Sequence, residues 1–168
     1  MRTLKVFLVI VLIAAASPAW PQATAEQAGG WTAAEQANVE ATQALFAAFL
    51  AGDIDGFLTG LADDVVWEIN GSPDFVPNHG VWEGVDAVRE WIGLLEADVE
   101  FVEFTPERYW ADGDTVIVVC HEVGVVRATG KQIDQREVML FTYADGKVAS
   151  FMGFDDSAQE QWAMTPDE

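Results

Sequence analysis

Cysteine is almost absent: Cys120 is the only one in 168 residues. No disulfide can form within the chain, so its stability has to come from packing. Basic residues are nearly as scarce, with 8 Lys and Arg against 28 Asp and Glu, for a formal net charge of −20. A surface of that sign repels phosphate backbones and anionic bilayers, which argues against nucleic-acid binding. The chain has neither a glycine-rich phosphate cradle nor a Ser–His–Asp arrangement. Only two histidines occur, His79 and His121, on separate segments and outside any short ligand motif. No metal site is expected, and no organic cofactor is implied.

Long apolar runs are also missing, apart from Val6 to Ala16 near the start. At about 11 residues this run is well short of the roughly 20 that span a bilayer. It follows Arg2 and Lys5 and precedes the small-residue stretches Ser17-Pro18-Ala19 and Ala23-Thr24-Ala25. That is the layout of a secretory signal peptide over residues 1–25, with cleavage after Ala19 or Ala25. The expected location is therefore secreted or periplasmic, with no membrane contact after cleavage. Losing Arg2 and Lys5 with the leader takes the formal −20 to about −22.

What remains is half apolar, with seven tryptophans, and of a size for one domain. Residues 26–34 read as a linker. Thr32 and Glu35 make a capping box, and Val39, Thr42, Leu45, Phe46 and Phe49 then recur at helical spacing up to Gly52. Asp53 caps a short second helix, and Val65 to Asn70 has strand composition. Gly71 to Gly80 reads as a loop, followed by a third helix with Val85, Val88, Trp91, Ile92 and Leu95 on its apolar stripe. Alternating segments from Val99 to Phe154 are broken by Asp-Gly and Thr-Gly turns, as in antiparallel hairpins. The fold class is α+β, with helices on one face of a mainly antiparallel sheet. Residues 159–168 read as a C-terminal tail.

Three segments carry a family resemblance: AGDIDGFLTGLADDVVWE (Ala51 to Glu68), HGVWEGVDAVREW (His79 to Trp91) and YADGKVASFMGFDD (Tyr143 to Asp156). In this order they resemble the SnoaL-like and nuclear transport factor 2-like superfamily, which includes polyketide cyclases and ketosteroid isomerases. The resemblance covers residues 35–158. It implies a cone-shaped α+β barrel, about three N-terminal helices on a curved sheet, around a pocket for a small and mostly apolar molecule. It also implies a homodimer paired through the outer sheet face. Matching the isomerases position by position puts Ile69 at the catalytic base, Leu45 at the tyrosine and Met139 at the second acid. None of these can transfer a proton, so steroid isomerisation is not expected.

The same resemblance gives a facing to each strand. Trp67 and Ile69 are expected to point into the pocket, with Val119, His121 and Val123 from the central strand. Glu137, Met139 and Phe141 are expected to do so from its partner, and Phe151, Gly153 and Asp155 from the last strand. If Arg127 pairs near Gln132, His121 and Glu137 become neighbours, as a general base and its orienting partner or as a buried pair that only satisfies itself. His79 and Trp82 in the covering loop would contact ligand, and Asp155 would bind it or hold the chain end. Trp67, Trp82, Trp91, Trp110, Phe101, Phe104 and Phe141 are candidates for an aromatic wall. Cys120 is expected to face away from the pocket. The function that follows is acid/base isomerase, cyclase or dehydratase chemistry, or else non-catalytic binding or dimerisation.

Overall fold

A computed structural model describes residues 30–167. The expected leader, residues 1–25, and the first part of the linker lie outside the described residues. Helix α1 is Ala33–Leu50 and α2 is Ile54–Thr59, followed by β1 Leu61–Ile69, β2 Gly80–Glu83 and α3 Val85–Asp98. Four long strands follow: β3 Val99–Asp112, β4 Thr115–Val126, β5 Gln132–Ala144 and β6 Lys147–Phe154, and then α4 Ser157–Met164. The capping box forms as its residues dictate. Thr32 Oγ1 accepts from Glu35 N at 3.2 Å, and Glu35 Oε2 accepts from Thr32 N at 2.7 Å.

The strands form one six-stranded sheet in the order β2-β1-β6-β5-β4-β3. Every neighbouring pair is antiparallel except β1 with β6. The sheet curves but does not close, because β2 and β3 are its two edges. Val39, Leu45 and Phe46 of α1 and Val88, Trp91 and Ile92 of α3 are buried in one core with the inward residues of the sheet. One buried polar pair crosses that core, Thr42 Oγ1 to Tyr143 OH at 2.8 Å.

Two expectations are corrected here. The first is the facing of β4. Its buried positions are Val116, Val118, Cys120, Glu122, Gly124 and Val126, so Val119, His121 and Val123 lie on the outer face. The hairpin decides this: Val126 N donates to Lys131 O and Gly130 N to Val126 O, leaving 127–130 as the loop. Residue 125 then pairs with 132, Cys120 with Glu137 and His121 with Arg136. Opposed residues of an antiparallel pair share a face and here differ in parity, so His121 and Glu137 cannot share one. Cys120 accordingly faces inward and is fully buried, where burial pushes its thiol pKa up.

The second correction is the C-terminal tail, most of which is helix α4. Asp156 caps it by accepting from Gln159 N at 3.1 Å. Ala163 is completely buried against Val126 and Ile133. Thr129 Oγ1 donates to Ala163 O at 2.6 Å, and Lys131 Nζ donates to Thr165 O at 2.7 Å. No helix among the described residues is long and apolar enough to cross a membrane.

Candidate functional site

Between the helices and the inner face of the sheet lies a cavity of about 70 Å³. Nearly half of its lining residues are aromatic, because inward positions on seven elements are aromatic. Phe46 and Phe49 come from α1, Phe57 from α2, Trp91 from α3, and Phe101 and Phe104 from β3. Trp67 of β1 and Phe151 of β6 stack with centroids 3.8 Å apart and planes 14° apart. Trp91 tilts against Trp67 at 5.2 Å, and Phe141 meets Phe46 edge-on at 5.7 Å. Ile69, Leu95, Val99, Ile133, Met139 and Met164 complete the apolar lining. Such a surface fits flat hydrocarbon, and the buried indole N–H groups of Trp67 and Trp91 find no acceptor among the described residues.

The polar remainder of the wall is acidic. Glu122 of β4, Glu137 of β5, Asp155 beyond β6 and Glu160 of α4 all line the cavity, with Asn78 from the loop. Behind them sits His79, only 2% exposed. Its Nε2 lies 2.7 Å from Glu160 Oε2 and 3.3 Å from Asp155 Oδ2. Burial works against the imidazolium, but the hydrogen bonds and charges of Asp155 and Glu160 outweigh it and raise the pKa to about 9. His79 is therefore a cation at neutral pH, locked between two carboxylates. Gly71 makes room for the ring: with φ of +134° it carries no side chain, and a Cβ there would overlap His79 Nδ1.

Glu122 and Glu137 have no such cation. Burial, then the charges of Glu160 and Asp155, push Glu122 up to about 8, partly relieved by a hydrogen bond from Gln135. Gln135 Nε2 also donates to Glu160 Oε1 at 2.8 Å, and its Oε1 accepts from Asp156 N at 2.9 Å. Burial pushes Glu137 well above the carboxylate range, reinforced by Glu122, Asp155 and Glu160. Its Oε1 occupies the space left by Gly153, 2.7 Å from where a Cβ would stand. The cluster thus joins two carboxyl groups whose pKa burial raises to two that hydrogen-bond a histidine and raise its pKa. Groups of one kind with environments that split their behaviour are what proton transfer requires.

The remaining sequence candidates fall in different places. Trp67, Ile69, Met139, Phe141, Phe151, Asp155 and Glu137 line the cavity. Trp82 packs on the edge of the core, with its indole N–H donating to Asn78 O at 3.3 Å. Trp110 is on the outer face, opposite Ile117. His121 is also outside, between Asp134 Oδ1 at 2.9 Å and Glu103 Oε1 at 3.2 Å, so it cannot act on anything in the cavity. Its pKa is lowered by partial burial but raised overall by those two carboxylates. Sequence reading missed Glu122, Glu160, Asn78 and Gln135. The signal for Glu122 was a carboxylate in an otherwise apolar set of alternate positions, Val116, Val118 and Cys120.

A metal-capable group also exists. His79, Asp155 and Glu160 offer ligand atoms that all lie within 4.8 Å of one another. In the structure the imidazole bonds both carboxylates directly, so these atoms already satisfy one another.

Residues 42–151 match the SnoaL-like domain family. This chain belongs to that family. An uncharacterized protein of Mycobacterium tuberculosis (strain ATCC 25618 / H37Rv) is 31% identical over 137 residues, covering 77% of this chain and 98% of the relative. Among solved structures, an NTF2-like protein from Burkholderia xenovorans LB400 has a TM-score of 0.71 at 28% identity, covering 78% and 98% of the two chains. A protein assigned as a SnoaL-like polyketide cyclase from Jannaschia sp. CCS1 has a TM-score of 0.71 at 21% identity, covering 83% and 99%. The fold is therefore that of the family, while the cavity and its acid cluster have to be read from this SnoaL-like chain's own residues.

Proposed function

We propose that this SnoaL-like protein is exported, pairs as a homodimer, and binds a small, flat, mostly apolar molecule at which it moves a proton. The chemistry would be of isomerase, cyclase or dehydratase type and would need no cofactor. The observation that carries this reading is the convergence of Glu122 and Glu137, whose proton affinity burial raises, on an aromatic cavity that also presents Asp155 and Glu160. In this reading Glu137 donates a proton to the bound molecule, Asp155 accepts one, and His79 positions Asp155 and Glu160 without touching the ligand. Export is supported by the basic start, the Val6 to Ala16 run and the small residues after it.

The test is native mass spectrometry of the protein recovered from the periplasm of a host given the whole sequence. A leaderless mass carrying a small neutral or charged adduct is expected, and Met139→Trp should abolish the adduct by filling the cavity. A chain recovered only from the cytoplasm with its leader intact would sink export. Ligand-free protein from every preparation would sink the pocket reading. A second reading, binding without turnover, is favoured by Ile69, which stands on the wall where the isomerases hold their base. It is chosen over the first if the recovered molecule binds equally well to Glu137→Gln and is never converted by the unmodified protein.

A further inference from the structure

Seven of the cavity's nine aromatic lining residues are phenylalanine, and two are tryptophan, Trp67 and Trp91. Both residue types offer a flat apolar face, but tryptophan adds one donor, the indole N–H. Trp67 and Trp91 are buried, and neither indole nitrogen has a hydrogen-bond partner among the described residues. Leaving a buried donor unpaired costs stability, and phenylalanine at either place would avoid that cost. A wall that had only to fit hydrocarbon would gain nothing from these two donors. The two rings are neighbours, with centroids 5.2 Å apart, so both donors belong to one part of the wall. Burial also raises the proton affinity of Glu137, and a carboxyl group that keeps its proton is a further donor on the same lining. The ionisable lining side chains, Glu122, Glu137, Asp155 and Glu160, are all acidic and repel an anion.

We propose that Trp67 and Trp91 set the polarity of the ligand: their indole N–H groups donate to an uncharged acceptor oxygen, such as a carbonyl, on a flat hydrocarbon body. This rests on the reading that the cavity holds a ligand, and it names the group by which that ligand is recognised. A carbonyl oxygen has two lone pairs, so one such atom can accept from both indoles. A pure hydrocarbon would leave both donors unpaired. A carboxylate would pair them but set its own charge against the acid cluster. No covalent bond changes in this step, so recognition is separable from any proton transfer that follows. The pairing also fixes which end of the ligand lies at Trp67 and Trp91, and these residues act as positioning groups for its oxygen.

The test is NMR titration of the purified protein at neutral pH with benzaldehyde, styrene and benzoate, following the indole N–H resonances. The probes have one ring because the cavity is small, and styrene differs from benzaldehyde by a methylene in place of the oxygen. Benzaldehyde should bind about tenfold more tightly than styrene, and benzoate should not bind. Benzaldehyde should also move the Trp67 and Trp91 indole protons downfield, and styrene should not. Trp67→Phe and Trp91→Phe keep a ring and remove the donor, and each should cut the preference for benzaldehyde by about threefold. Taking the ratio of the two probes cancels any loss of packing. Trp31 has the third unpaired indole N–H but does not line the cavity, so Trp31→Phe should leave the ratio unchanged. If the variants at 67 and 91 do not fold, the indole shifts of the unmodified protein still decide. Styrene binding as tightly as benzaldehyde, or benzaldehyde binding without those shifts, overturns this proposal and leaves the pocket reading standing. Failure of all three probes overturns both.

Discussion

Single side chains here set how the protein responds to pH. His79 keeps its proton to about 9 when folded, against an ordinary 6.5, and Glu122 keeps its proton to about 8, against 4.5. Both groups bind protons more strongly in the folded chain, so both make it less stable as pH rises. Glu122 acts from about 4.5 to about 8 and His79 from about 6.5 to about 9, so their windows overlap between about 6.5 and 8. There these two groups should together approach twice the roughly 1.4 kcal/mol per pH unit of a single proton, and Glu137, whose pKa burial also raises, adds to the loss. Urea unfolding across that window measures it, and a flat profile would refute the burial argument. Glu122→Gln removes one of these contributions. It should gain about 1–2 kcal/mol on the alkaline side and change little below the ordinary carboxylate pKa. A steric probe of the same cluster is Gly153→Ala. Its methyl would stand 2.7 Å from Glu137 Oε1 and 3.2 Å from both Ile69 and Phe151. Two of those neighbours are packed core side chains, so the variant should lose about 1–3 kcal/mol, read from the midpoint of the same unfolding curve.

At the level of elements, the parts visible in the sequence were those with a local cause. Thr32 with Glu35 marks the start of α1, and Gly84 with Val85, Val88, Trp91 and Ile92 marks α3. The parts that were hidden depend on distant partners. The facing of β4 could not be read from alternation, because both parities are apolar: Val116, Val118 and Cys120 on one side, Ile117, Val119 and Val123 on the other. Only the four-residue loop at 127–130 settles it, and that loop is set by tertiary packing as much as by Gly130. Helix α4 was missed because Ser157–Met164 is short and largely polar, with Ala163 and the Glu160 side chain buried only by contacts from β4, β5 and the 71–79 loop. Its loss should therefore be costly despite its composition. A chain ending at Asp156 would uncover Val126 and Ile133 and take Glu160 from His79. We expect a loss of about 2–4 kcal/mol, and a stability that no longer falls as steeply through the His79 window. Thermal unfolding across that window checks both, and an unchanged slope would show that Glu160 contributes little to holding the imidazolium.

The whole molecule joins two properties that oppose each other, a formal charge of −20 and an apolar patch on the outer sheet face. On that face Trp110 opposes Ile117, Ile117 opposes Leu140, and Leu140 opposes Met152. In the neighbouring row Val119 opposes Val138, which opposes Phe154, and Trp110, Val138 and Phe154 are each more than a third exposed. This part of the outer face is apolar for the same reason that β4 was ambiguous to read: both sides of the sheet bury hydrocarbon there if two copies pair through it. Bringing two such chains together confronts their like charges. At physiological ionic strength the screening length is about 8 Å, so most of the repulsion between distant carboxylates is removed, and at low salt it is not. The dimer should consequently tighten as salt rises, the reverse of an interface held by ion pairs. Val138→Asp puts a further charge in the centre of the patch and should leave the monomer folded but unpaired at every salt concentration. Sedimentation or light scattering over a salt series tests this directly. A dimer that weakens with salt, or one unaffected by Val138→Asp, would place the contact elsewhere. Because Val138 points away from the cavity while its neighbours Glu137 and Met139 point in, ligand binding by the monomeric variant would further show that the pocket is complete within one chain.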